Sequence, residues 1–347
     1  MRLKDRIPEL RHKLKRFLDR LDGKVIILSH VDADGLCSAI VLQRFLERAG
    51  IKAEWTYPPK GCNAYSPETA QLLEKYSPDY LFVLDLGSMD QTILEAVPTV
   101  LIDHHRPYGV PPGAQLLSSY GLEDTPPTSY ITYKLLEEFD EISDLAWLCA
   151  VGTAGDIGLD FPFETIPQGG EKLRKKDVRE VEVLVNSAKR ASAYDVVTAF
   201  QVLSSARRIS EITRGEIVGV DRLRTYRREV NEEVKRCRHE RPYFHWKVAL
   251  IPFSSKCDIQ GLIAETWRRQ LKDYIVIAAN FGYVTGKVAY VVRTNLEISV
   301  IDFMESLKPD DLTQHIVYGH DRAGGGILDL DVWMKITSRM GFKDVRK

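Results

Sequence analysis

Three short apolar runs in this chain end in acids or histidines, and that pattern constrains the fold more than any other feature. Val25–Leu28 leads into Ser29-His30-Val31-Asp32-Ala33-Asp34-Gly35, Tyr80–Leu84 leads into Asp85, and Val100–Ile102 leads into Asp103-His104-His105. Such runs read as buried strands of a parallel sheet. In an open sheet of that kind, ligands bind beyond the carboxyl ends of the strands. The chain therefore delivers imidazoles and carboxylates to the ligand edge. Carboxylates gathered there repel one another unless a cation lies between them, so the pattern points to metal.

The rest of the sequence fits that frame. From Lys24 to about Asp103, strands alternate with helical patterns such as Leu36–Arg48 and Pro67–Tyr76, the rhythm of a doubly wound parallel sheet. Leu10, Leu14, Phe17, Leu18 and Leu21 mark an amphipathic helix before it. Residues 106–128, rich in Pro, Gly and Ser, read as a long loop. Helical patterns follow at about 128–138, 143–154, 177–190 and 194–203, with a Pro/Gly-containing connection at 158–176. Residues 206–240 hold many Arg and Glu and no Pro, which predicts one long, mostly solvated helix. Beyond Pro242, strands are expected near 246–253, 274–281 and 287–293, with helices near 258–271, 299–306 and 331–340. The expected organisation is an α/β catalytic domain at 1–205, a helical linker at 206–241, and a smaller α/β domain at 242–347.

A chain of 347 residues suits two domains, and a formal net charge of −1 excludes a uniformly basic nucleic-acid binder. The five cysteines (Cys37, Cys62, Cys149, Cys237 and Cys257) are scattered and odd in number, the pattern of reduced thiols and not of a disulfide framework or zinc site. No apolar stretch reaches membrane-spanning length, and Met1–Arg6 is too charged for a secretory signal. A cytoplasmic protein without a membrane partner is the expectation.

His30, Asp32 and Asp34 alternate, so in an extended strand end they would point the same way, and Gly35 would let the backbone turn into a helix near Leu36. Mixed imidazole and carboxylate donors suit Mn²⁺ or a related divalent ion, and zinc less well without thiolates. With Asp85 and His104 there are donors for two ions sharing one carboxylate. Two such ions can activate a water and stabilise the leaving oxygen of a phosphoester. An acid after a strand can be only a helix cap, but five such groups at three strand ends exceed what caps require.

These residues resemble the ordered motifs of the DHH phosphoesterase superfamily: the segment Ser29–Ser38, the single Asp85, the Asp103-His104-His105 triplet, and Ala150–Asp156 for a fourth motif. The resemblance implies that His30, Asp32, Asp34, Asp85, His104 and Asp156 ligate two Mn²⁺ ions (or Mg²⁺ or another divalent ion), with Asp85 bridging. It also implies that His105 lies near the scissile phosphate and that Asp103 supports the shell. Some branches place the first His four residues before the first Asp; here the gap is two. In the second domain, Tyr318–Gly326 resembles the glycine-rich motif of the associated DHHA1 substrate-binding domain. Consecutive glycines can expose backbone N–H groups in a concave loop, which predicts phosphate binding by Gly319, Gly324, Gly325 and Gly326 with His320 and Arg322 as further donors. The family motif often has its glycines before the His, and here only Gly319 precedes it. Arg293, at the end of the run Val291-Val292, is a further phosphate-binding candidate.

The superfamily includes single-strand exonucleases of the RecJ type, hydrolases of short oligonucleotides and nucleoside bisphosphates, cyclic dinucleotide phosphodiesterases and pyrophosphatases. The two-domain layout with a glycine-rich second domain resembles the nuclease and oligonucleotide branch more than a pyrophosphatase, and the DADG form of the first motif resembles RecJ-type and archaeal relatives. That resemblance implies a divalent-metal-dependent phosphodiesterase, an exonuclease on single-stranded DNA or RNA ends or on short oligonucleotides. One alternative is a small-molecule phosphatase or phosphodiesterase taking a nucleoside bisphosphate or cyclic dinucleotide. Another is a repair or replication accessory whose helices at about 172–240 dock a protein partner. Basic stretches at 2–24, 172–179 and 222–241 would line a strand-binding groove, though they also carry many acids. The N-terminal or the charged helix offers a surface for homo-oligomerisation.

Overall fold

The computed structural model describes residues 2–123, 125–160, 173–342 and 345. They form two compact units, residues 1–189 with 195–224, and residues 190–194 with 225–347. The connection expected at 158–176 falls mostly outside the described residues, as does the first residue of the basic stretch 172–179.

The first unit is built on five parallel strands, β1 (Val25–Ser29), β2 (Ala53–Thr56), β3 (Tyr80–Leu84), β4 (Thr99–Asp103) and β5 (Gln115–Ser118), in the order β2-β1-β3-β4-β5. Val25–Leu28 are fully buried, as a continuous apolar run requires when both sheet faces are covered. The chain passes from β1 to β2 on one side and returns to β3 on the other. Right-handed crossovers then place α2 (Ala33–Arg48) and α3 (Pro67–Tyr76) on opposite faces. Strand order reverses between β1 and β3, so the sheet opens a crevice between their carboxyl ends. Register fills it: Ser29 pairs with Leu84 and Leu84 with Ile102, so His30, Asp85 and Asp103 follow side by side.

An N-terminal helix, α1 (Leu3–Leu18), packs beside α4 (Thr128–Leu136), and α2 packs against both α4 and α5 (Ala146–Ile157). Gly152 permits that approach, because a Cβ there would collide with Ser129 Oγ and lie 3.1 Å from Cys37 Cβ. The expected loop at 106–128 contains β5, which extends the sheet by pairing Leu101 with Leu116. Four strand residues flanked by Pro and Gly are too few to stand out by alternation. After α6 (Lys175–Arg190) and α7 (Val196–Ser205), the expected single linker helix is two: α8 (Ile209–Arg214) stops at Gly215, whose φ is +80°, and α9 spans Val220–Cys237. Nor is α9 mostly solvated, since Tyr226, Val230, Val234 and Cys237 pack into the core of the second unit.

That unit holds a six-stranded sheet of β6 (Tyr243–His245), β7 (Val248–Phe253), β8 (Ile275–Asn280), β9 (Lys287–Thr294), β10 (Tyr318–His320) and β11 (Ala323–Asp329). The order is β10-β11-β9-β8-β7-β6, antiparallel except for β7 with β8. α9 and α10 (Gln260–Gln270) cover one face through Val230, Ile263, Ala264, Val276 and Ala278. On the other, Trp333 of α12 (Leu330–Arg339) packs on Tyr290 at 5.0 Å between ring centroids, beside α11 (Val300–Glu305).

The glycine run is not a loop. Gly324, Gly325 and Gly326 lie within β11 and pair with Val292, Val291 and Tyr290 of β9, while β10 pairs on the other side. Their amides serve the ladder instead of forming an anion nest. A Cβ on Gly325 would lie 2.6 Å from Tyr290 O, and one on Gly326 would lie 2.5 Å from Ile316 O. The absence of side chains here answers to close backbone approach.

Candidate metal centre

Each donor is placed by a different local device. His30 follows β1 directly, and its N–H donates to Leu84 O at 3.0 Å. Asp32 caps α2 by accepting from Gly35 N at 3.2 Å. Asp34 lies in the first helical turn, so the three residues do not alternate along an extended strand as the spacing suggested. They converge because strand turns directly into helix. Gly35 is helical and not a turn residue; a Cβ there would collide with His30 O. The Asp34 carboxylate accepts from Thr128 N at 2.7 Å and Ser129 N at 2.8 Å, the open amides at the start of α4.

Asp85 sits at the centre with φ +63°, a left-handed conformation uncommon outside glycine and a strain that surrounding structure must hold. Its Oδ1 accepts from Thr128 Oγ1 at 3.0 Å and lies 3.2 Å from His104 Nε2, while Oδ2 lies 3.5 Å from His30 Nδ1. His104 Nε2 is 2.8 Å from Asp156 Oδ2 at the end of α5, and 4.0 Å from Asp34 Oδ2. Asp103 accepts from Gly87 N at 2.7 Å and His105 N at 2.6 Å, and its Oδ1 is 3.0 Å from His105 Nδ1. Asp103 thereby fixes the orientation of His105.

Donor atoms lying within 4.8 Å of one another form a group of His30, Asp32 and Asp85, another of Asp34, Asp85 and His104, and a third of Asp85, Asp103 and His105. Asp85 belongs to all three. The His30 Nδ1 atom is buried 2.7 Å from Asp32 Oδ2 yet is not aligned for a hydrogen bond. A buried imidazole nitrogen left without a hydrogen bond among carboxylates, as His30 Nδ1 is, fits a cation between them. All are hard nitrogen or oxygen donors without thiolate, a set suited to Mn²⁺ or Mg²⁺.

The electrostatics agree. Burial pushes the Asp34 carboxyl well above the usual range, and the nearby Asp85 and Asp156 charges add to it. Burial, the largest influence, would depress His30, but the Asp32 and Asp85 carboxylates together outweigh burial and the Lys189 charge, and the ring is raised to about 9. Burial likewise opposes protonation of His104, and Asp156 and Asp85 overcome it, raising that ring well above its ordinary value. Asp85 is held low against its burial by the adjoining His104 and His30 rings. Protons thus stand at neutral pH where a divalent ion would compensate the same carboxylates.

Some contributors had no signal in the sequence. Lys189 Nζ lies 3.5 Å from both His30 Nε2 and Asp32 Oδ2, from a helix that reads only as amphipathic. Asn186 Oδ1 accepts from Ala33 N at 2.9 Å, while its Nδ2 donates to Glu182 Oε1 at 2.8 Å. Thr128 and Ser129 carried a weak clue, the Pro126-Pro127 pair that precedes a helix start.

In the second unit, Arg293 is opposite Ala323, which is opposite His320, so the three form one cross-strand row. Arg293 lies on the α10 face, with Nη1 3.6 Å from Glu265 Oε2. Hydrogen bonds from Arg268 and Arg269 and the charge of Arg293 outweigh burial and hold Glu265 down to about 2. Gly319 (φ +133°) lies opposite Gly324 in β11. Arg322 occupies the tight turn between β10 and β11 and directs Nη1 to Ile298 O at 3.3 Å. Arg293 and His320 are thus brought together, and Arg322 turns elsewhere.

Residues 24–153 match the model of the DHH family, N-terminal domain. Comparison with curated protein sequences gives no match. Among solved structures, the exonuclease RecJ bound to manganese shares 16% identity over 96% of this chain and 93% of its own, with a TM-score of 0.66. RecJ from Thermus thermophilus in complex with Mn²⁺ shares 17% identity over 96% of this chain at a TM-score of 0.67, and the chain spans 54% of its length. The same Thermus protein in complex with Mg²⁺ shares 15% identity over 97% of this chain and 53% of its own, at 0.62. The chain therefore has the α/β fold seen in the RecJ structures, with residues 24–153 matching the DHH-family N-terminal domain and a second mixed sheet after them.

Proposed function

We propose that this protein is a divalent-metal-dependent phosphodiesterase, an exonuclease acting on single-stranded DNA or RNA ends or short oligonucleotides. The observation that carries this reading is the sharing of Asp85 between the His30/Asp32 group and the Asp34/His104 group at the switch point of the sheet. Likeness to RecJ structures holding Mn²⁺ or Mg²⁺ supports the choice of metals. Two such ions would be held by His30, Asp32, Asp34, Asp85, His104 and Asp156, and would supply activation of a water and counter-charge for the phosphoryl group. His105, oriented by Asp103, would donate to a phosphate oxygen of the substrate. Arg293 and His320 would hold a phosphate of the substrate. Asp34 and Asp85 are pinned by α4, so the donors stay within coordinating distance of one another before metal arrives.

The five free cysteines support a reducing, cytoplasmic setting. Among the described residues, no helix is long and apolar enough to cross a membrane. A repair or replication protein partner and a homo-oligomer are further proposals.

The test is product analysis on single-stranded DNA and RNA labelled at either end, with Mn²⁺, Mg²⁺ or EDTA and with His104→Ala as the blank. A dinucleotide, a nucleoside bisphosphate, a cyclic dinucleotide and pyrophosphate complete the panel. Stepwise mononucleotide release that disappears in the variant is expected. Turnover of small substrates alone would replace this reading with a small-molecule phosphoesterase. No metal-dependent turnover would leave an accessory role.

A further inference from the structure

Away from the metal centre, the last turns of α2, the start of α5 and the junction of α7 with α8 enclose a cavity of about 690 Å³. That volume lies within the roughly 300–1,000 Å³ of small-molecule sites. Four arginines line it (Arg44, Arg48, Arg207 and Arg208), against two carboxylates, Glu47 and Asp144.

The arginines divide by role. Arg44 donates to Ser204 O and Ala206 O, both at 2.8 Å, and ties α2 to the end of α7. Arg48 reaches Asp144 at 2.7 Å and Glu141 O at 2.6 Å, fixing the segment before α5. These two build the wall. Arg207 and Arg208 are exposed and have no ion pair among the described residues. Trp147 is 4% exposed, belongs to the same wall, and its indole Nε1 has no hydrogen-bond partner among the described residues. Ser204 and Ser205 add hydroxyls at the rim.

The lining is rich in donors, carries a surplus of positive charge, and is rigidly braced. A complementary ligand is an anion with many acceptors and an extended body. We propose that this cavity binds a phosphorylated small molecule of nucleotide size, with Arg207 and Arg208 gripping the phosphate. The site is separate from the metal centre: Arg44 lies about 15 Å along α2 from Asp34 at 1.5 Å per residue. It does not depend on the proposed phosphodiesterase activity.

The full-length, EDTA-treated protein would be titrated with inorganic phosphate, pyrophosphate and adenosine monophosphate, against chloride at matched ionic strength. The readout is the indole N–H resonance of Trp147, assigned through Trp147→Phe. Saturable movement with at least one probe is expected, and Arg207→Ala/Arg208→Ala should weaken that probe tenfold or more while the ligand-free melting temperature stays at the parent value. The single variants are measured alongside, so the outcome does not rest on one protein. Absence of saturable movement with every probe would overturn the proposal, as would unchanged affinity in the double and both single variants.

Discussion

The carboxyl edge of the first sheet and the glycine strand of the second both look like phosphate chemistry in the sequence, but they are built on opposite principles. At the first, charged groups are buried against one another: Asp34, Asp85, Asp103 and His104 are each no more than 3% exposed, and the central Asp85 holds a left-handed backbone. At the second, side chains are removed so that backbones and aromatic rings can meet, and no charge is concentrated by the glycines themselves. A buried, strained and mutually repelling cluster is costly unless a ligand compensates it, whereas a run of glycines in a ladder is accounted for by packing alone. The first region thus argues for function by itself. The second does so only through Arg293 and His320.

The sharpest way to break that contrast is Asp85→Asn. Asparagine tolerates the left-handed backbone, so the change removes charge with little new strain. Activity should fall about a thousandfold, comparable to the loss of a key electrostatic group in other active sites, and a metal-induced rise in melting temperature should disappear. The metal-free variant should unfold somewhat below the parent, because a carboxylate held low by His104 and His30 stabilises the metal-free fold. A metal-induced rise in melting temperature that survived at its parental size would remove Asp85 from the ligand set.

The second expectation concerns protons. Metal must displace the proton that His30 holds up to about pH 9, so metal affinity should climb with pH. For one displaced proton the gain is about tenfold per pH unit, or about a hundredfold between pH 6.5 and 8.5. The metal-free protein should move the other way. A histidine raised on folding contributes stability fully below its ordinary value of about 6.5, and that contribution is lost as pH rises towards 9. Calorimetric titration with Mn²⁺, paired with melting curves of the EDTA-treated protein, would read both slopes. Flat metal affinity across this window would remove His30 from the ligand set.

How much of this could be read from the chain depended on the range of the interactions. Parallel strands with acids at their ends were legible because a buried strand writes its own apolar run, as Val25–Leu28 and Tyr80–Leu84 do. β5 was hidden because its pairing with β4, and not its four residues, makes it a strand. The charge of α9 obscured the stripe of Tyr226, Val230, Val234 and Cys237 that packs in the second unit. Lys189 and Asn186 reach the metal centre from more than 150 positions along the chain, a relation that only the folded sheet creates. The glycine motif misled for a physical reason: a nest and a tightly packed strand both demand the absence of Cβ.

Arg293→Ala tests whether the second region binds substrate at all. KM should rise about tenfold to a hundredfold, with kcat and metal affinity little changed, since a lost ground-state contact weakens binding without altering the chemistry. Arg293→Lys should recover only part of the loss, because an ammonium cannot reproduce the fork of a guanidinium. A kcat effect with unchanged KM would move Arg293 from holding substrate to acting in the reaction itself.

The smallest catalytic effect belongs to the glycines. A Cβ on Gly325 would lie 2.6 Å from Tyr290 O and 3.1 Å from Val291 Cγ2, so Gly325→Ala must push β9 and β11 apart. Overpacking of this kind destabilises by about 1–3 kcal/mol, visible as a lower denaturation midpoint of the second unit. Metal affinity at the first sheet should stay at the parent value, and KM should change by less than in Arg293→Ala, because the glycine shapes the strand and does not touch the phosphate. If Gly325→Ala left stability intact but raised KM as much as Arg293→Ala, the strand amides would be binding substrate directly, and the contrast between the two regions would collapse.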